Sequence, residues 1–162
     1  MMRILAALAA VWVSGCSRTE DCTEKPCSSR FRISVQQGDS PLPPDTSAQL
    51  RVDGRVISCV GPFQANKASP CGSDVTIESR ELLDCRPTAA PGGVAEQCVP
   101  TGRFEQIISI AGTPSRVDVS LTSSDAVIGE RVFHPKYELV TPNGPQCEPR
   151  CMQSEETWTL PP

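Results

Sequence analysis

Nine cysteines, a single histidine and a scatter of carboxylates are the side chains of this 162-residue sequence that could do chemistry. His134 lies between Phe133 and Pro135, and any Ser-His-Asp relay or imidazole metal site would have to be built on it. No Gly-x-Ser-x-Gly, no His-Glu-x-x-His and no phosphate-cradling glycine loop accompanies it in the sequence. A solitary histidine at a strand end is expected to be an edge or surface residue. The carboxylates form two adjacent pairs, Glu20-Asp21 and Glu155-Glu156, with Asp53, Asp74, Asp84, Asp118 and Asp125 scattered. Glycoside hydrolysis needs two acids across a cleft, and calcium a clustered Asp-x-Asp run; neither pattern is present. The sequence therefore reads as non-enzymatic, with no catalytic residue, metal site, cofactor or small-molecule substrate evident.

The cysteines say more. Beyond Cys16 they form an even set: Cys22, Cys27, Cys59, Cys71, Cys85, Cys98, Cys147 and Cys151. In an oxidising compartment such a set reads as up to four disulfides, whose connectivity the spacing leaves open. Cys22 with Cys27, and Cys147 with Cys151, also sit at separations not far from zinc-ligand pairs, so metal is the competing reading. Export would favour the disulfides.

Evidence for export stands at the amino end. Met1-Met2-Arg3 supplies one positive charge, residues 4–13 are an unbroken apolar run, and Ser14 and Gly15 are small. That is the layout of a secretory signal, expected as a short helix and well below the roughly 20 residues of a spanning helix. Val13-Ser14-Gly15-Cys16 resembles the lipobox of bacterial lipoproteins. The resemblance implies that residues 1–15 are removed and that Cys16 is acylated, anchoring the chain to a membrane through lipid. Each buried methylene contributes about 0.8 kcal/mol, so the two or three chains implied hold firmly where one does not. Ser17 after the cysteine implies the outer membrane, with the domain facing periplasm or cell exterior. An ordinary cleaved signal followed by a coincidental cysteine is the alternative.

Together with the Cys-rich start, the Pro-Leu-Pro-Pro-Asp-Thr stretch and Pro-Asn-Gly-Pro-Gln-Cys-Glu-Pro-Arg-Cys near the end, this arrangement is similar to uncharacterised small lipoproteins of large-genome Gram-negative bacteria. That family implies a location rather than an activity.

Without residues 1–15 the chain has 147 residues, an ordinary size for one domain, with 14 basic against 19 acidic side chains. A formal charge of −5 gives no electrostatic footprint for nucleic acid. The aromatics of this part are few, Phe31, Phe63, Phe104, Phe133, Tyr137 and Trp158, so the core must rest on Val, Ile and Leu. Disulfides would supplement it, each worth typically about 2–4 kcal/mol.

The elements that must position these residues are strands. Phe31, Ile33 and Val35 alternate with Arg32, Ser34 and Gln36, the period of a half-buried strand. Residues 48–52 and 55–59 flank Asp53-Gly54, a two-residue hairpin signal that would pair Val52 with Arg55, Leu50 with Ile57 and Ala48 with Cys59. Cys59 is thereby expected on the core face, bridging layers or tying down the loop that follows. Residues 22–27 read as a small clasping loop, 75–78 as a strand, 81–85 as its continuation or a helical turn, and 86–101 as a pinned surface loop rich in Pro and Gly. Residues 104–110, then Val117, Val119 and Leu121, then 127–133, 137–140 and 157–160 supply further short strands.

Seven or eight short strands without a long helical period predict an all-β fold, an antiparallel, disulfide-stapled β-sandwich of immunoglobulin-like character. The predicted divisions are 1–15 signal peptide, 16–30 lipidated cysteine and tether, and 31–162 sandwich domain. The expected function is a lipid-anchored envelope protein in a structural or protein-binding role, its partners the membrane and an envelope protein. The alternative is a disulfide-rich peptidase inhibitor or binding module, using loop 59–71, with Asn66 and Lys67, or loop 85–101 as the contact surface.

Overall fold

The computed structural model describes residues 22–37, 42–43, 45–63, 67–90 and 93–161. Residues 1–21, which include the expected signal peptide and Cys16, and Asn66 lie outside the described residues. The described chain is all-β, with no helix among the described residues. Its strands are β1 (Arg30–Gln37), β2 (Ser47–Val52), β3 (Arg55–Val60), β4 (Ala68–Pro70), β5 (Val75–Ala90), β6 (Gly93–Ala111), β7 (Val117–Ser123), β8 (Ala126–Phe133), β9 (Glu138–Val140) and β10 (Cys151–Thr159).

The strands form two sheets, ordered β4-β5-β6-β1-β10-β9 and β3-β2-β7-β8. One continuous core lies between them. Phe31, Ile33 and Val35 of β1, Ile77 of β5 and Ile108 and Ile110 of β6 meet Leu50 of β2 and Val117, Val119 and Leu121 of β7. At one side Phe133 packs edge-on against Phe31 and Trp158, with ring centroids 5.8 and 6.0 Å apart, a favourable geometry for aromatic quadrupoles.

Local pattern explains much of this. In β1 the expected apolar side chains are all fully buried. The β2–β3 hairpin has the predicted register, Val52 opposite Arg55, Leu50 opposite Ile57 and Ala48 opposite Cys59. Its turn places Asp53 at φ 46° and Gly54 at φ 88°, the paired left-handed conformations that match the twist of a tight hairpin. The Asp53 carboxylate also accepts bonds from the backbone N–H groups of Ser115 and Arg116, each at 3.0 Å, tying this turn to the start of β7.

Three expectations are corrected. The sandwich is not wholly antiparallel: β1 and β10, first and last strands, pair in parallel from Arg30 opposite Gln153 to Gln36 opposite Thr159. Among the described residues the strands number ten rather than seven or eight, and β5 and β6 run to 16 and 19 residues. Residues 86–101 are no loop but most of a two-stranded ribbon, with Cys85 directly opposite Cys98 and Ala90 opposite Gly93. Pro and Gly concealed it, because a strand with an unpaired outer side tolerates a missing N–H.

Candidate functional site

All eight cysteines among the described residues are bridged: Cys22–Cys147, Cys27–Cys151, Cys59–Cys71 and Cys85–Cys98. The small Cys22-to-Cys27 loop is thus clamped to the carboxyl-terminal region at both of its cysteines. Asn143 completes the clamp. Its side-chain oxygen accepts from the Lys25 N–H at 2.9 Å and the Thr23 hydroxyl at 2.8 Å, and its amide nitrogen donates to the Lys25 and Glu148 carbonyls. Every polar group of this buried amide is used, the condition under which burial is stabilising.

The Cys59–Cys71 bridge does both tasks expected of Cys59, joining the four-stranded sheet to the end of β4 in the other sheet and closing the intervening loop. Lys67 in that loop is exposed.

At the end of β1 away from the clamp, β5 and β6 leave the sheet: Gln37 of β1 faces Phe104, and the ribbon continues beyond it. A bulge at Glu81/Leu83 marks the departure, with the Glu81 carboxylate accepting from the N–H of Gly102, which sits at φ 72°. One ribbon face carries Leu83, Pro100, Cys85, Cys98 and Pro87; the other carries Asp84, Arg86, Thr88, Gln97 and Val99. Leu83 and Val99 are 54% and 55% exposed. An isolated two-stranded ribbon is marginal in water, and the cross-strand disulfide offsets that weakness.

Several titratable groups among the described residues bind the structure together. His134 is exposed, beside Lys136, Glu155 and Glu156 on a shallow surface. Glu105 is 5% exposed; burial pushes its carboxyl up, but the Ser34 hydroxyl and the Arg80 guanidinium bonding to it outweigh that and hold it below its ordinary value. Asp45 is lowered by the hydroxyls and backbone N–H that bind it at Ser124 and Ser123, and Asp53 by Ser115 and Arg116. Burial pushes the Tyr137 phenol up to about 12, helped by the Asp53 charge, while its O–H donates to the Pro114 carbonyl at 2.9 Å. Asp84 is paired to Arg86 at 2.7 Å, Asp118 to Arg116 at 2.7 Å and Glu156 to Arg131 at 3.6 Å, while Asp74 holds Arg55. Among the described residues one group of three metal-ligating types lies close together, Cys85, Glu96 and Cys98, but the two sulfurs are bonded to each other.

A second feature lies on the outer face of the six-stranded sheet, near the clamp. Arg30 and Arg32 of β1 share a face, with Gln153 and Glu155 opposite them on β10 and Glu138 opposite Gln153 on β9. With Lys136 they line a cleft of about 320 Å³. No sequence signal announced it, because its walls come from strands more than a hundred residues apart that meet only through the β1–β10 pairing. The arrangement presents charged donors and acceptors to solvent.

No family model, no curated protein and no solved structure matches this chain.

Proposed function

We propose that the chain is a lipid-anchored, non-enzymatic envelope protein that binds a protein partner or serves a structural role, held at the outer membrane through acylated Cys16. The observation that carries the reading is parity. Eight cysteines are consumed in four mutual bonds, which leaves Cys16 as the odd one, standing directly after Val13-Ser14-Gly15. Four disulfides suit an exported protein. On this reading residues 1–15 are a signal peptide and the spacer before Cys22 is short, so the clamped end of the domain faces the lipid and the ribbon reaches away from it. The sandwich is of immunoglobulin-like character on the two packed sheets and the stapled core.

Mass spectrometry of the mature protein from its host tests this. The expected mass begins at Cys16, carries acyl chains and contains no free thiol. A soluble product beginning elsewhere, or a titratable sulfhydryl, overturns it.

A second reading, a peptidase inhibitor, is favoured by the exposure of Lys67 within the loop that Cys59–Cys71 closes. Nanomolar inhibition of an exported protease that disappears in Lys67→Ala supports it; inactivity against a broad panel removes it.

A further inference from the structure

The geometry points to the cleft beside the clamp as a binding site for a small zwitterion, a phosphate with an ammonium group close by. Phe31 and Ile33 face the core, so Arg30 and Arg32 face outward, two residues apart and about 7 Å along β1. Their donors are largely unspent. Arg32 meets Glu155 only at 3.9 Å, beyond hydrogen-bonding range, and its shielded Nε has no partner among the described residues. Arg30 and Lys136 enter none of the ion pairs found among the described residues. Arg80, by contrast, gives both Nε and Nη2 to Glu105. Two guanidinium groups flanking one space suit a phosphate, whose oxygens accept their planar forks.

Carboxylates lie among these cations, and Lys136 stands two residues before Glu138 on the β9 side. Glu155 lies one strand over from Arg32, and Glu138 two strands over from Arg30. A strand spacing of about 4.8 Å thus separates cation row from first carboxylate, which places an ammonium acceptor within reach of a phosphate held by the arginines. A simple anion would be repelled by these two carboxylates and a simple amine by the three cations. A ligand bearing both charges finds a partner for each. The cleft's about 320 Å³ falls at the small end of ligand sites, room for a head group rather than a chain. Two sources share this chemistry, a free phosphoamine solute and the head group of a phosphoethanolamine lipid. The lipid source rests on the anchored reading above, since the cleft lies at the clamped end, where Arg30 is three residues from Cys27 and Gln153 two from Cys151.

The experiment is a titration of the mature full-length protein, in non-ionic detergent and phosphate-free buffer, with O-phosphoethanolamine, inorganic phosphate and ethanolamine separately, read by NMR shifts. Saturable binding of O-phosphoethanolamine is expected at about 1 mM or tighter, with each half-ligand about tenfold weaker or more. Arg32→Gln is expected to weaken it about tenfold, and Glu155→Gln to abolish the preference over inorganic phosphate. A vesicle arm separates the sources. The anchor holds the protein to either vesicle, so the readout is the O-phosphoethanolamine affinity of the vesicle-bound protein: weaker affinity on phosphatidylethanolamine than on phosphatidylcholine vesicles assigns the lipid head group, and equal affinity assigns the free solute. Absence of saturation, or inorganic phosphate binding as tightly as the zwitterion, overturns the proposal. Because acylation of Cys16 is read by mass, failure of the anchor and failure of the cleft are separate results.

Discussion

Cys22–Cys147 and Cys27–Cys151 close nearly the same circuit, with sequence separations of 125 and 124. By the logarithmic loop-closure relation a bridge over so long a loop restricts the unfolded chain by about 4.9 kcal/mol at 25 °C. Once either bridge exists, the other closes only a ring of about ten residues, out from Cys22 to Cys27 and back from Cys151 to Cys147, and adds about 2.7 kcal/mol. Removing one pair, C22A/C147A or C27A/C151A, is therefore expected to cost about 2.7 kcal/mol, whereas removing both costs about 7.6 kcal/mol, more than twice as much. The assay is urea unfolding of the mature protein, freed of residues 1–15 and hence of Trp12, followed through Trp158, which is 6% exposed in the core and reports loss of packing. A loss of about 7.6 kcal/mol approaches the whole stability of an ordinary domain, so the quadruple variant is measured with a stabilising osmolyte applied to all the proteins. Costs for the two pairs that simply add, to within about 0.5 kcal/mol, would refute the redundancy.

Other perturbations separate body from ribbon. C85A/C98A should leave the urea midpoint nearly unchanged, because the ribbon contributes nothing to the shared core, while limited proteolysis gains a cut within residues 86–97; a large fall in midpoint would show the ribbon folding as part of the body. In G129A the new Cβ would stand 2.5 Å from Leu160 Cδ2 and 2.8 Å from Trp158 Cζ2, so overpacking of about 1–3 kcal/mol is expected in the same assay. N143A empties the clamp of its amide and should cost about 1–3 kcal/mol, measured by thermal unfolding. Glu105, Asp45 and Asp53 have folded values held below 4.5 and 3.8, so their contribution is complete above those values and disappears as pH falls through the lower folded ones. The melting temperature should fall with acid below about pH 4.5, less steeply in E105Q, and an unchanged slope in that variant contradicts the assignment.

What the sequence disclosed follows the range of the interactions involved. The β2–β3 register was legible because a two-residue turn fixes it and both strands lie within a dozen residues. Likewise β1 and β7 could be read, since Phe31, Ile33 and Val35, and Val117, Val119 and Leu121, alternate against one core. β6 was harder: Glu105 and Ile107 are buried alongside Gln106 and Ile108, so both faces are covered there and the period of two is blurred. The ribbon escaped because none of its described residues joins the core, so no apolar pattern is selected along it. The β1–β10 pairing and the cleft built on it had no local signature at all. Cysteine parity was visible from the outset, whereas the partners of Cys22 and Cys27 depended on that same distant pairing.

Since β1 takes one of its two neighbours from the end of the chain, a polypeptide emerging amino end first exposes Cys22 and Cys27 long before Cys147 and Cys151 exist to receive them. The nearest early partners are wrong ones: each other, or Cys59 and Cys71. Oxidation that runs ahead of synthesis would lock such errors in, and thiolate exchange is the chemistry that undoes them. In an oxidising compartment, maturation would therefore turn less on how fast the sulfurs are oxidised than on how readily they are reshuffled.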